Sequence, residues 1–414
     1  MKLGRAIDKH YRQVVVLYTA TFLGTLLGLV CSIINTRFLD PVNYGDVRYV
    51  QNIIQLIATI LTLGYFWSGS RMLALSDNET KSREIRGSMI LILTITAVAL
   101  VLSMALCALV HYNKPKIATL FIVSMPVCVN ILLGNYIGNT AQGDNHIGRL
   151  AASRLLPYLF YIPLAYIVYT YTGASSVKML LLQWGVYTIV SLLIVVSTKP
   201  SFKNMKVNIR ELNKENKNYG LQLYYGSLFM LGSTYIAGIS LGVFNSDNSN
   251  VGFYTLAMTV TSPLSLLPGI IGTTYFKEFA KMNRIPIKVL NVTVLMTLVS
   301  CICFIILVRP FVEFLYSEDY AQVGSYAMWL SAGFCIQGVG DMINRYLGSH
   351  GLGAPIRNSS IANGVIKMFG FTLFVYIWGI WGAIVTNLVA STAYCLILAY
   401  YYGKFLNGMI VKSK

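Results

Sequence analysis

The chain has 414 residues, of which 56% are hydrophobic and only 11% charged, and its mean hydropathy is +0.62. A soluble domain carries about 25% charged residues, so the composition excludes a disordered chain, a disulfide-rich secreted module and an ordinary cytosolic enzyme. Lys and Arg outnumber Asp and Glu by 32 to 15; in a soluble protein this would suggest nucleic acid, but here the basic residues fall in short loops between apolar runs, as in a polytopic membrane protein.

A basic tail, Met1–Arg12, leads into the first apolar segment, 14–34. That segment is too long for a signal-peptide core and lacks a convincing cleavage site, so it is expected to be retained. Further segments follow at 49–69, 89–110, 119–137, 153–171 and 178–197, then at 220–243, 252–274, 287–308, 321–342, 356–376 and 380–401. Each can cross about 30 Å as a helix. The runs are continuous, not alternating, which predicts helices and not strands. The expected fold is therefore all-α, with about twelve transmembrane helices. A polar stretch divides it into an N-terminal half (1–197), a linker (198–219) and a C-terminal half (220–414).

Charge orients these segments. With the N-terminus inside, only Arg37, Arg48, Lys114, Lys116, Lys178 and Arg309 of the 32 basic residues fall outside, and Lys367 falls within a span. Such a bias predicts cytoplasmic termini and a cytoplasmic linker. An internal repeat accompanies it. Asn43-Tyr-Gly-Asp-Val47 precedes the second segment and Asn250-Val-Gly-Phe-Tyr254 the eighth, with Gly45 and Gly252 half a chain length apart. Gln142-Gly143 and His350-Gly351 are separated by nearly the same interval, and Arg149 then falls on Arg357. An even number of spans per half makes the repeats parallel, which is a transporter architecture.

No enzyme constellation emerges, and no catalytic residue, metal site or cofactor is expected. The histidines (His10, His111, His146, His350) lie in tails and loops without ligand spacing. No G-x-x-x-x-G-K-[ST] is present, and Gly348–Gly353 is a loop with no strand before it. The seven cysteines sit in or beside apolar runs, only Cys301 and Cys303 being close, and read as small apolar fillers.

The informative residues are charges within spans. Lys367 lies near the bilayer midplane, where facing lipid would cost about 2.5–3.5 kcal/mol. It reads either as a cationic contact for an anionic substrate or as a structural charge paired with Asp341 or a carbonyl. Arg154, about a turn inside the fifth segment, reads as a substrate contact or as a snorkelling end residue. Arg37 closes the first segment, Arg48 opens the second and Arg71 ends it; each is a substrate contact or an interfacial anchor. Asp341 and Arg345, one turn apart, form an ion pair or a protonatable gate. Pro126, Pro157, Pro163, Pro263 and Pro268 interrupt spans, and bends in the fifth and eighth would suit halves that rock as well as plain packing kinks.

Several stretches resemble polysaccharide biosynthesis proteins. Arg37-Phe-Leu-Asp-Pro-Val-Asn-Tyr-Gly45 is similar to their "R-x-L-x-P-x-x-Y-G" segment after the first helix, and Val251-Gly-Phe-Tyr-Thr-Leu-Ala257 to their "V-G-x-Y-x-x-A" start of the eighth. Phe311-Val-Glu-Phe-Leu-Tyr-Ser-Glu-Asp-Tyr320, Asn344-Arg-Tyr-Leu-Gly-Ser-His-Gly351 and Gly379-Ile-Trp-Gly-Ala383 continue the pattern in order. The chain thus resembles the Wzx-type O-antigen flippases, in the superfamily of the multidrug-and-toxin exporters (MATE) and the lipid II flippases. The resemblance implies a MATE-like fold in a bacterial inner membrane. It implies that an undecaprenyl-pyrophosphate-linked oligosaccharide moves from the inner to the outer leaflet, with membrane lipids, a polysaccharide polymerase and a chain-length regulator as partners. Three rivals stay open: a drug or cation antiporter, which would need an acidic cavity where Asp341 is the only span carboxylate; a glycan polymerase or ligase, for which outer loops 35–48 and 309–320 are short; and a non-transporting scaffold of glycan assembly.

Overall fold

The computed structural model describes residues 2–76 and 78–412. The side chains of residues 2–15, 17, 18, 226, 230–232, 277 and 409–412 lie outside that description, and with them the topology charges Lys2, Arg5, Lys9, Arg12, Lys277 and Lys412; Lys414 lies outside the described residues altogether.

Among the described residues the chain is helical, with no strand. The first half of the sequence gives α1 (Lys2–Phe38), α2 (Pro41–Leu61), α3 (Tyr65–Ala74), α4 (Glu79–Val110), α5 (Pro115–Ser124), α6 (Asn130–Gly143), α7 (Ile147–Thr172) and α8 (Ser176–Ser197). A short helix, α9 (Met205–Glu215), runs through a π turn (Asn216–Gly220) into α10 (Leu221–Phe244). Then come α11 (Ser249–Thr261), α12 (Pro263–Thr274), α13 (Phe276–Phe279), α14 (Ile287–Leu315), α15 (Gln322–Ser349), α16 (Gly353–Trp378) and α17 (Ile380–Lys412).

Among the described residues, eight helical stretches are long and apolar enough to cross a membrane, and up to ten if each of two bent pairs counts as one span. Large side chains such as Leu109, Phe314 and Phe369 stand exposed on them, which water would not tolerate over such an area and lipid favours. This is a multi-pass membrane protein. The remaining two expected segments are helical as well. Segment 119–137 is split between α5 and α6 by turns around Pro126, and segment 321–342 lies in α15, whose Gln337 and Asp341 dilute its apolar run.

Prolines are a poor guide to where helices break. α7 runs unbroken past Pro157 and Pro163. A neighbouring polar group or a local adjustment can re-satisfy the backbone that a proline frees. In the eighth segment a one-residue turn at Ser262, just before Pro263, separates α11 from α12, and the two still form one stretch long enough to cross. The second segment bends by 58° with no proline present. There Leu63 (φ 46°) and Gly64 (φ 82°) take left-handed backbone, which interrupts the helical ladder.

The chain divides into two compact units: residues 1–39 with 50–227, and residues 40–49 with 228–414. α9 therefore belongs to the first unit and the opening turns of α2 to the second. In the first unit the ends of α4, α6 and α8 meet at Arg86. Its guanidinium, 2% exposed, donates to Asp144 Oδ2 (2.8 Å), Glu79 Oε1 (3.1 Å) and the Thr198 carbonyl (2.9 Å). Higher up, Asn35 Oδ1 accepts from Tyr161 (2.5 Å) and Tyr169 (3.4 Å), tying α1 to α7 with buried polar groups satisfied.

In the second unit the first turns of α2 and α11 lie against each other. Asn248 Nδ2 donates to Asp46 Oδ1 at 2.8 Å. A Cβ at Gly45 would stand 1.8 Å from the Asn248 carbonyl oxygen, so only glycine allows the approach. Gly252, the expected repeat partner of Gly45, lies on the same contact, where its Cβ would be 3.4 Å from the Gly45 Cα. A hydrophobic cluster of Phe279, Ile285, Met342, Ile343, Tyr346, Leu347, Tyr394 and Leu398 packs α13, α15 and α17 together.

Candidate functional site

Two groups of polar side chains at membrane depth can do chemistry, one in each unit. In the first unit, Arg154 projects from the N-terminal third of α7 towards α1 and donates a hydrogen bond to the Thr21 hydroxyl. It lines a cavity of about 440 Å³ with Thr21, Gly24, Thr25, Ser153, Tyr158 and Tyr187. The rings of Tyr158 (α7) and Tyr187 (α8) meet edge to face at 5.5 Å. One guanidinium, three hydroxyls and two phenols offer a charge for a phosphate, acceptors and donors for sugar hydroxyls, and flat apolar faces for sugar C–H groups. Gly24 of α1 packs against α7 at Arg154, where a Cβ would stand in ordinary contact, 3.5 Å from the Arg154 carbonyl oxygen.

In the second unit, Asp341 sits on α15, Lys367 near the middle of α16 and Tyr394 on α17. Tyr394 donates its phenol proton to Asp341 Oδ1 at 2.9 Å, and Asn344 Nδ2 donates to the same phenol oxygen at 2.8 Å. Gly340 lets the Tyr394 ring lie flat on α15, for a Cβ there would be 3.0 Å from the ring. Arg345 and Lys367 are the cations that act on Asp341 electrostatically. None of the ion pairs within 4 Å among the described residues involves Asp341, Arg345, Lys367 or Arg154. The carboxylate is thus satisfied by a phenol, and neither an Asp341–Arg345 nor an Asp341–Lys367 salt bridge is formed.

The other sequence candidates are placed differently. Arg71 pairs with Glu215 Oε1 at 2.8 Å and stacks on Tyr219, 4.7 Å from the ring centre; its charge holds the linker to α3. Arg48, half-buried, lies 4.8 Å over the Tyr44 ring. Arg37 is exposed at the end of α1, and Arg345 is exposed one turn beyond Asp341. The structure thus gathers Asp341, Arg345 and Lys367 into one group and sets Arg154 in a cavity of its own. Tyr394, Asn344, Thr21, Tyr158 and Tyr187 were invisible as site residues in the sequence. A tyrosine among 28 carries no local signal; Thr21, Tyr187 and Tyr394 are brought in by other helices, while Tyr158 and Asn344 lie about one turn along from Arg154 and Asp341. The seven cysteines are free, and among the described residues no His, Cys, Asp and Glu group could hold a metal ion.

The family described as "polysaccharide biosynthesis protein" matches residues 11–282, well over half of the chain, and the chain belongs to it. No curated protein is matched by sequence. Among solved structures, an inward-facing multidrug resistance MATE family transporter of the MOP superfamily is similar with a TM-score of 0.71 at 17% identity, covering 94% of this chain and 98% of that one. The lipid II flippase MurJ in an inward closed conformation is similar with a TM-score of 0.72 at 13% identity, over 96% and 91%. A MOP superfamily transporter from Pyrococcus furiosus, described as having a binding pocket of reversed polarity that suggests a different function, gives a TM-score of 0.58 at 14% identity, over 95% of each chain. These likenesses establish the fold of the superfamily.

Proposed function

We propose that this member of the polysaccharide biosynthesis protein family is a flippase. It carries an undecaprenyl-pyrophosphate-linked oligosaccharide, the repeat unit of O-antigen or a related surface polysaccharide, from the inner to the outer leaflet of a bacterial plasma membrane by alternating access. One observation carries the reading: Arg154 within α7 and Lys367 within α16 take part in no ion pair among the described residues. Cations that make no contact ion pair in a span favour an anionic ligand. A pyrophosphate supplies it, and the hydroxyls and phenols around Arg154 suit the attached glycan. The lipid tail can remain in hydrocarbon throughout.

The energetics run the same way. Two phosphate charges moving outward across 100 mV, inside negative, gain about 4.6 kcal/mol. Cations travelling with them would cancel that gain, so Lys367 and Arg154 are fixed contacts that release their ligand. A cation antiporter needs a carboxylate free to take its cation, and Asp341 accepts a hydrogen bond from Tyr394. The proposal includes two six-helix halves related as parallel repeats, 1–197 and 220–414, with linker and termini in the cytoplasm. It includes a polymerase and a chain-length regulator as partners.

Deleting the gene and locating the lipid-linked oligosaccharide is the test. Accumulation on the inner leaflet is expected. Unchanged arrival at the outer leaflet removes the flippase reading and leaves the scaffold or the antiporter. Reporter fusions at residues 210 and 414 should both report cytoplasm, and a periplasmic signal at either overturns the topology.

A further inference from the structure

The linker helix α9 has an unusual division of charge. Its inner face is strapped to the first unit. Ser201 N donates to the Arg83 carbonyl (2.8 Å), and Arg83 Nε to the Lys199 carbonyl (2.7 Å). Asn204 and Asn208 donate to the two oxygens of Glu84 at 3.1 and 3.2 Å. Leu212 is buried. Gly87 permits this approach, because a Cβ there would be 2.0 Å from the Ser201 carbonyl oxygen. Both acids of residues 198–219 are spent inward as well: Glu211 pairs with Lys81 at 2.7 Å and Glu215 with Arg71 at 2.8 Å.

Of the charges on the outer face, only cations are left outside an ion pair among the described residues. Lys206, Arg210 and Lys214 follow at four-residue spacing, which stacks them in one row opposite Asn208 and Leu212. Lys203 and Lys217 extend the row at its ends, and all five are exposed. Phe202 and Val207 stand beside it, each 57% exposed. At the far end lies a cavity of about 340 Å³, lined by Leu63, Tyr65, Asn213, Asn216, Lys217 and Leu221. It combines one ammonium and amides with apolar walls.

The position of this face is constrained. α9 passes through the π turn into α10 without a break, and it lies on the first turns of α4, the end of a membrane-crossing helix. It is therefore held at the depth where a span begins. A solvated row of charges has no use for adjacent exposed Phe and Val, whereas a helix at the headgroup boundary does. We propose that this row and its end cavity dock the anionic phospholipid headgroups of the adjoining leaflet. The cations face the phosphates, Phe202 and Val207 enter the acyl boundary, and Lys217 with Asn213 holds one headgroup over Leu63 and Leu221. A polybasic segment beside a span is suited to such a surface. The inference stands apart from the transported substrate.

The test uses the full-length protein purified in detergent and titrated with phosphatidylglycerol or phosphatidylcholine, with bound lipid read by native mass spectrometry and stability by melting. Phosphatidylglycerol should be retained preferentially, and the preference should weaken with salt. Replacing Lys206, Arg210 and Lys214 by Gln should lower the apparent affinity for phosphatidylglycerol by about tenfold or more and leave melting in phosphatidylcholine unchanged. Each single replacement should remove part of the preference, so a folding defect in the triple variant cannot mask the result. A Lys114→Gln/Lys116→Gln/Lys178→Gln control should behave as wild type. The proposal is overturned if wild type does not discriminate between the lipids, if the single and triple variants bind phosphatidylglycerol like wild type, or if the control loses as much. Inorganic pyrophosphate competing as well as the lipid at equal concentration overturns the phospholipid assignment.

Discussion

Arg86 and Lys367 are both basic residues on membrane-crossing helices, and their surroundings are opposite. Arg86 sits near the start of α4, where the ends of α6 and α8 also arrive, and those ends bring Asp144 and the Thr198 carbonyl to it. Lys367 sits at mid-helix, where neighbouring helices present side chains and no chain ends. Helix termini supply carbonyls, caps and polar loops as partners, while helix middles supply almost none. A buried cation near a terminus can thus be neutralised by the fold; one at the centre keeps its charge for a ligand, or for a single well-placed side chain. The nearest carboxylate, Asp341, is already bonded to Tyr394.

The strongest test of this contrast is Arg86→Ala. It would strand Asp144, which is 5% exposed, without its main partner. Breaking one side of a buried pair costs about 3–5 kcal/mol, so the variant should lose most of its folded yield and melt far below wild type in detergent. Melting unchanged from wild type would show that the cluster holds nothing together. Lys367→Ala should act on the other side of the comparison: surface glycan is lost while the amount of membrane protein stays normal. Lys367→Arg should keep part of the activity, because charge is preserved and geometry is not. Normal export by Lys367→Ala would remove Lys367 from the site, and a fall in protein level would make it structural instead.

Smaller effects sharpen the distinction. Tyr394→Phe deletes the donor to Asp341, and a net hydrogen bond of this kind contributes about 1 kcal/mol. A double-mutant cycle with Asp341→Asn should show coupling of that order, and additive losses would mean that the 2.9 Å contact carries no energy. The least effect is expected from Glu79→Ala. Glu79 also bonds Arg86, but it is 73% exposed, and solvent screening reduces such a pair to less than about 1 kcal/mol. A melting shift comparable to that of Arg86→Ala would place Glu79, not Asp144, at the centre of the cluster.

Legibility from sequence followed the same line between helix centres and ends. Lys367 stood out because a lone charge in an apolar run has no local excuse. Arg86 was legible only as one more topology charge, since Asp144 lies in a loop 58 residues away. The bend at Leu63–Gly64 carried no proline to announce it, and two prolines in α7 announced a break that did not occur. Arg71 read as a span-end anchor; Glu215, which pairs with it, belongs to the linker 144 residues on.

What the sequence determined by itself is the membrane-crossing helical architecture and the bias of its basic loops. Both follow from one-dimensional quantities. An apolar run of sufficient length must enter lipid as a helix, because lipid offers its backbone no other hydrogen-bond partner, and loop charge is counted along the chain. Which charges are neutralised was decided only by the tertiary structure. Pairing falls off over a few ångströms in space, and the packing of α4 with α6 and α8, of α9 with α3 and α4, and of α15 with α17 sets those distances. That is why Arg86, Arg71 and Lys81 became structural while Arg154, Lys367 and the outer row of α9 kept charge to offer.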